Sequence, residues 1–560
     1  MRTRLHATGA PGTRDFRVLG WALLRRPAFL LAVVAFLAAV LVQSGDLGSS
    51  DTMHRLQATH SFWTSQPAVF PDEYPEFGLH GRGGKLYGWY GIGQSVLMLP
   101  FDVIGAYLER LPVLANYKED PSIRGIVVAY CTNALVSVLT ALMCLRLLRW
   151  FDFTVKQAIA GVLALLFCTT HLHYTQNMME NNYIMLLTLT GLAFQYQWLR
   201  TGNRRALLIG SVALGLNLLT RLTTGMDLIA VGGFLLLVSW SNGVRGRALL
   251  ERIISYLRVA APVYAVFILL DRIYQFYRFG SFFNTYISVF GREQKMLNPE
   301  LPSNYPFETP FHVGFFGALF TPEKSIFLFD PLLLLTAIVA ILLWKRFGPE
   351  IKAYLSAFTL LLLAYICFYA RYTVWNGDFA WGDRYVSTTA ELVAFISVPL
   401  LLRHGAHVGR FVRAVGMALV AVSAAIQLAS LAFWVPLEIY QMETLGHPTF
   451  VIGLRFENIA GFALGKMQAW GLLNCAMKWD DWDYVRITTW NFLPFVLKRA
   501  GAAPAWVVET ATVLWIAGIG ALLVLLAGIR RKAIRGDFGV ESSFYQGTAS
   551  EPAQKLTSVE

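Results

Sequence analysis

The sequence predicts an all-α polytopic membrane protein, and three observations carry that prediction: mean hydropathy is +0.49, 56% of residues are hydrophobic and only 15% are charged. Water-soluble domains carry about 25% charged residues, so 560 residues of this composition cannot be packed as one. The apolar residues are gathered into runs close to the ~20 residues a helix needs to cross a hydrocarbon core.

Hydropathy gives a bundle of about twelve spans, at 21–43, 123–148, 157–172, 182–199, 206–220, 224–240, 259–276, 326–344, 353–370, 388–402, 413–435 and 504–529. The first run lacks a small-residue cleavage site and reads as an anchor behind a basic N-terminus, residues 1–20. Charge orders the rest. With a cytoplasmic N-terminus, the inside connections hold Arg146, Arg149 and Lys156, then Arg200, Arg204 and Arg205, then Arg245, Arg247, Arg252 and Arg258, and so on to Arg530, Arg531, Lys532 and Arg535. The same parity keeps the apolar Ile92–Tyr107 segment from being a full crossing and makes it an interfacial helix. The expected organisation is a transmembrane domain over 21–535 and a polar, disordered cytoplasmic tail over 536–560. It places the protein in a plasma membrane of the bacterial inner-membrane type, with both termini cytoplasmic.

The net charge of +12 is scattered in short clusters between apolar runs, which argues against a nucleic-acid partner. The five cysteines, Cys131, Cys144, Cys168, Cys367 and Cys475, show no metal or disulfide spacing and read as core filler. Neither a 20–50-residue repeat nor similarity between the halves is evident, which weakens an alternating-access transporter.

The outside connections are the long ones: 44–122, 277–325 and 436–503. Loops of that length usually carry function, so the site is expected on this face. The first opens with Asp46 and Asp51 in a Ser/Gly-rich turn. Asp51 is placed to cap a helix over Thr52–Trp63, with Met53, Leu56, His60 and Trp63 on one face. It can also act as a general base at the rim of a desolvated cavity, since burial raises carboxylate basicity. Asp46 is the competing acid and can share a divalent cation with Asp51, although no cofactor is required.

Residues 81–94 combine Arg82, Lys85, Tyr87, Trp89 and Tyr90 with glycines. Glycines let a backbone approach a phosphate, cations balance it and rings stack on a sugar, so the segment suits an anionic headgroup. The structural alternative is an aromatic belt with snorkelling cations. His171, His173 and Glu180 lie where one span exits and the next enters, with Glu180 the better second acid. Arg221 sits between two close spans, where it meets water or an anion, or snorkels. In Trp375–Tyr385, Arg384 is the expected phosphate contact, with Trp381, Asp383 and Tyr385 around it; a salt bridge to Asp383 or Asp378 is the alternative. Pro322–Ser325 and Lys478–Trp490 are read as shaping the acceptor side.

The acidic turn, the Gly-Lys-x-Tyr-x-x-Tyr-x-x-Gly stretch from Gly84 that runs on to Pro100, and Trp381-Gly382-Asp383-Arg384-Tyr385 resemble the multi-spanning GT-C glycosyltransferases. The nearest group includes the protein O-mannosyltransferases and the lipid A aminoarabinose transferase. The likeness covers the topology of most of the chain, with sequence matches in the first third and at Trp381–Tyr385. It implies an inverting transfer of a sugar from a polyprenyl-phosphate donor to a hydroxyl of a lipid, glycan or protein acceptor, with Asp51 as base. The chain departs from that pattern where relatives carry Asp-Glu and Lys-Pro-Pro: it has Asp51-Thr52 and Tyr90-Gly91-Ile92-Gly93. A transporter or flippase of a lipid-linked sugar is the alternative class, and a non-catalytic scaffold the third.

Overall fold

The computed structural model describes residues 27–70, 78–112, 114, 117, 121–443, 445–466, 478–479, 482–483, 490–501, 503–536 and 538. The expectations for residues 1–20, the start of the first span, Cys475, most of Lys478–Trp490 and nearly all of the 536–560 tail lie outside the described residues.

The described residues are mainly helical, with two short hairpins among them. It opens with α1 (Pro27–Val42); the first long connection then carries α2 (Ser50–Ser61), the antiparallel pair β1 (Leu79–His80) and β2 (Leu86–Tyr87), and α3 (Gly93–Glu109). There follow α4 (Ile123–Trp150), α5 (Val155–Cys168), α6 (His171–Gln176), α7 (Asn181–Thr201), α8 (Arg204–Thr220), α9 (Gly225–Ser241) and α10 (Gly246–Phe279). The second long connection holds α11 (Tyr286–Leu297) and the apolar α12 (Phe311–Phe320), neither expected from the sequence. Then come α13 (Ile326–Phe329), α14 (Leu332–Leu343), α15 (Pro349–Tyr369), α16 (Ser387–Ala394), α17 (Ser397–His404) and α18 (Arg410–Ser430). The last part contains α19 (Pro436–Glu443), α20 (Val451–Ala463), the pair β3 (Lys478–Trp479) and β4 (Trp482–Asp483), α21 (Leu493–Ala500) and α22 (Ala505–Arg535).

Seven helical stretches among the described residues are long and apolar enough to cross a membrane, and they match seven of the expected spans. The other five fall on α1, α5, α7, α8 and the α13–α14 pair. With 14 residues, α5 extends only ~21 Å, short of a ~30 Å hydrocarbon core. α7 is long enough but carries Asn181, Asn182 and Gln195, all buried against neighbouring helices. Helices enclosed by protein answer to packing, so hydropathy alone misjudges their length. The outermost helices show the opposite pattern: Leu514, Ile516, Leu523 and Val524 on α22 and Val266, Ile268 and Leu269 on α10 are exposed, an apolar surface suited to lipid.

Polar bonds fix the inner helices to one another. Thr188 on α7 donates to Asp227 on α9 (2.8 Å), Tyr365 on α15 donates to the same carboxylate (2.9 Å), and Asn217 on α8 donates to Thr188 (2.9 Å). Such bonds between helices substitute for the hydrophobic drive that lipid removes. A second buried polar cluster joins three elements: Thr170 donates its backbone N–H to Asp330 (2.9 Å) and its hydroxyl to Glu391 (2.7 Å). Asp227 and Glu391 thus lie inside expected spans.

The expected interfacial helix is α3. Val96, Ile104 and Tyr107 are exposed along one side, while Met98, Asp102, Gly105 and Ala106 are buried against α4 and α2. Its entry explains the glycines of the first connection. A Cβ on Gly91 would come within 2.3 Å of the Leu219 carbonyl oxygen, and one on Gly93 within 2.2 Å of the Thr220 hydroxyl, so both permit close packing on the end of α8. Gly91 also lines the cavities on this side of the protein. Gly91→Ala should cost about 1–3 kcal/mol through this overpacking, read as a lowered midpoint of thermal unfolding in detergent.

Candidate functional site

The site is assembled from α2, the entry to α3, the α6–α7 and α8–α9 junctions, and the connection between α15 and α16. Ser49 caps α2, accepting from the Thr52 backbone N–H at 3.2 Å, so Asp51 lies in the first turn and is not the cap expected from the sequence. That position favours a negative charge. The expected apolar face is also revised: Leu56 and His60 are buried, whereas Met53 is exposed. Four residues on from Asp51, on the same side of the helix, Arg55 is buried and pairs with Glu180 at 2.6 Å.

Arg384 arrives on a connection whose turns use left-handed backbone at Gly377, Asp378 and Gly382. A Cβ on Gly377 would lie 2.9 Å from the Arg384 backbone nitrogen, so the tight approach requires glycine there. Lys324 clamps this connection, donating to the carbonyls of Asp378 (2.6 Å) and Ala380 (2.9 Å), and Asn181 donates to the Arg384 carbonyl at 2.7 Å. Burial pushes the Lys324 ammonium down to about 8.

At the centre, Arg384 donates to one oxygen of Asp51 at 2.5 Å and the Tyr90 hydroxyl donates to the other at 2.6 Å. The Arg55 guanidinium lies over the Tyr90 ring at 4.1 Å. Glu180 accepts from Arg221 as well as Arg55, and Arg221 sits over Tyr385, which stacks on Tyr369 at 4.4 Å. These groups line a cavity of about 250 Å³ with Trp89, Tyr286, Phe290 and Tyr372 among its walls, and Asp271 and Asp378 also face it. Burial raises the Asp51 carboxyl, but Arg384, Arg55 and the Tyr90 hydrogen bond outweigh it and hold it below the ordinary carboxylate value. Glu180 behaves alike: its burial is overcome by Arg55, Arg221 and Arg384. Both acids are therefore charged at neutral pH. The Nε of Arg384 is buried with no hydrogen-bond partner among the described residues, leaving a donor for an anion.

Of the residues singled out from the sequence, Asp51, Glu180, Arg221, Arg384, Tyr90 and Tyr385 meet in this cavity. Arg384 pairs with Asp51, not with Asp383 or Asp378, and Arg221 is held by Glu180 where snorkelling was an alternative. Trp89 and Asp378 line it too, and the remaining site candidates lie elsewhere. Lys85 and Arg82 are exposed beside the β1–β2 hairpin and do not line the cavity, because the turn between the strands carries them outward. Tyr87 lines a neighbouring cavity. Asp46 and His173 line a third, separate from Asp51, so a cation shared by the two aspartates does not fit this arrangement. His171 is buried 3.9 Å from Glu391. Asp383 is buried in the turn, accepting from the Tyr385 backbone N–H at 3.0 Å; burial pushes its carboxyl up to about 7.

Trp381 is a core residue, 0% exposed, edge-on to Phe329 at 5.0 Å and stacked with His173 at 5.7 Å. Trp381→Ala should remove about 3–5 kcal/mol of stability, measurable as a lower unfolding midpoint. Arg55, Tyr369, Tyr372 and Tyr286 went unnoticed in the sequence. Only Arg55 left a signal there, its four-residue spacing from Asp51 on one helix.

No protein-family model matches the chain, and no curated protein matches it. Solved structures do. The apo oligosaccharyltransferase of Archaeoglobus fulgidus is similar at 14% identity and a TM-score of 0.41 over 74% of this chain and 58% of its own. The archaeal oligosaccharyltransferase AglB of A. fulgidus, in complex with an inhibitory peptide and a dolichol-phosphate, is similar at 13% identity and a TM-score of 0.38 over 71% of this chain and 55% of its own. This chain thus spans little more than half the length of those two. ArnT from Cupriavidus metallidurans bound to undecaprenyl phosphate is similar at 14% identity and a TM-score of 0.38, over 87% of this chain and 85% of its own.

Proposed function

We propose that the protein is an inverting glycosyltransferase that moves a sugar from a polyprenyl-phosphate donor to an acceptor hydroxyl at the outer face of the membrane. The observation that carries this reading is the Asp51–Arg384 pair at 2.5 Å, which sets an ionised carboxylate beside a guanidinium with a spare donor in a part-enclosed cavity. Asp51 accepts the proton of the acceptor hydroxyl as the hydroxyl oxygen bonds to the anomeric carbon. The bond from that carbon to the phosphate oxygen breaks on the opposite side, and the leaving phosphate takes up the electron pair against Arg384. The expected phosphate contacts of Lys85 and Arg82 are replaced in this scheme by Arg384, with Arg221 and Arg55 behind it.

The pairing also suggests how the base is switched on. While Arg384 is bonded to Asp51 the carboxylate is a weak base; a donor phosphate that draws Arg384 toward itself removes that counter-charge and raises the basicity of Asp51 where the acceptor binds. Facing rings such as Tyr369, Tyr385 and Tyr372 offer stacking surfaces for a sugar.

The test is transfer by the purified full chain from a panel of polyprenyl-phosphate sugars to membrane extract. Sugar transfer with inverted anomeric configuration is expected from at least one donor. Absence of transfer from every donor, with donor binding retained, would turn the reading to a lipid-linked-sugar transporter. The side of the membrane is checked by a cysteine at the exposed Ser50, which should react in whole cells with an impermeant thiol reagent.

A further inference from the structure

A second cavity, of about 320 Å³, shares Arg55, Tyr90 and Gly91 with the first and lies on the other side of the Arg55–Tyr90 stack. Its chemistry differs. Where the Asp51 cavity mixes guanidiniums with carboxylates, the described residues lining this one include two arginines, Arg55 and Arg278, and no acid. Four tyrosines, Tyr87, Tyr90, Tyr274 and Tyr277, complete its polar wall.

Both arginines are buried, at 4% and 1% exposure. Each also holds back a donor: Arg55 Nη1 and Arg278 Nε have no hydrogen-bond partner among the described residues. Their other bonds set the planes in place. Arg278 donates to the Tyr90 carbonyl and to Gln275, each at 3.0 Å, and lies over the Tyr274 ring at 4.2 Å, while Arg55 is braced by Glu180 and Tyr90. Burying a guanidinium without satisfying its N–H groups is costly, and a ligand anion would remove that cost. Planar guanidiniums suit the oxygens of a phosphate, and tyrosine faces suit a sugar ring.

We propose that this second cavity binds a phosphate-bearing ligand distinct from the one facing Asp51, its anionic group at Arg55 and Arg278 and its attached ring against the tyrosines. The inference does not need sugar transfer to occur. If transfer does occur, two ligands meet across the Arg55–Tyr90 wall and the second is an acidic acceptor.

The experiment counts binding of a soluble hexose 1-phosphate to the full chain in phosphatidylcholine nanodiscs by titration calorimetry. Two molecules per chain are expected for the wild type. Arg278→Gln should weaken one of them at least about tenfold and leave the other. Because Arg278 also holds the Tyr90 carbonyl, Ser61→Phe serves as a second variant: it fills the cavity from its lining with both arginines kept, and should abolish the same binding event. Arg384→Gln should remove the other event. Inorganic phosphate that saturates the second site with equal affinity would assign recognition to the phosphate group alone. Displacement of the probe by phosphatidylglycerol in the nanodisc would assign it to a lipid headgroup. A single molecule bound by wild type, lost in Arg384→Gln, would overturn the second site while leaving the first-cavity reading intact; two molecules retained by both Arg278→Gln and Ser61→Phe would overturn it as well.

Discussion

Asp51→Asn is expected to lower glycosyl transfer by roughly 10²–10⁴-fold with the protein still folded and still binding donor. The substitution is nearly isosteric, so the hydrogen bond from Tyr90 at 2.6 Å can persist through the amide oxygen, whereas the charge that holds Arg384 is lost. The freed guanidinium is then available to the donor phosphate, so donor affinity should be kept or strengthened as turnover collapses. That split separates a catalytic carboxylate from a structural one. Equal transfer by wild type and Asp51→Asn would remove Asp51 as base, and a loss of donor binding in step with activity would make it a binding residue only.

Arg384→Gln carries the second largest effect, roughly 10²–10³ in rate or about 3–4 kcal/mol in the barrier, through loss of the group that meets the departing phosphate. It also changes the pH profile in a direction the site dictates. In the wild type, burial pushes Asp51 up and Arg384 is the largest of the opposing influences. With Arg384 removed, Arg55 and Tyr90 remain but burial gains ground, so the carboxyl rises. A base must be unprotonated, so activity should fall off on the acid side at a higher pH than in the wild type, whose Asp51 stays ionised across about pH 5–8. Rate profiles of the two proteins over that window check this, and superimposable acid limbs would show that the pair is not electrostatically coupled. The same depressed value makes the Asp51 pair a source of stability above the unfolded carboxylate range that is lost as pH falls through the folded value.

Much of the fold was legible because it follows from local chemistry. Runs of apolar residues can only be helices in a bilayer, where each backbone group needs an internal partner, and the apolar run Ile92–Tyr107 falls on the α3 helix. The failures have a common cause. Hydropathy reads α5 against lipid, although it is a short helix largely enclosed by neighbours. Reading Lys85 and Arg82 as phosphate contacts followed composition, but a two-residue hairpin turns them to the surface. Trp381 and Asp383 were grouped with Arg384 because they adjoin it; in a turn with alternating directions, neighbours in sequence face core, backbone and cavity in succession.

By itself, then, the sequence determined a helical membrane protein with long connections between some of its apolar runs, and it marked Asp51 as the acid and Arg384 as a cation to watch. Each conclusion rests on residue type and local spacing. Only the tertiary structure decided that these two meet, across 333 positions, and that Glu180 holds Arg55 and Arg221 beside them. It alone separated Asp46 from Asp51 and opened the cavity at Arg278, with no acid among the described residues that line it. The physical reason is that a buried charge is tolerable only beside its partner, and which partner comes within hydrogen-bonding distance is set by how the helices pack.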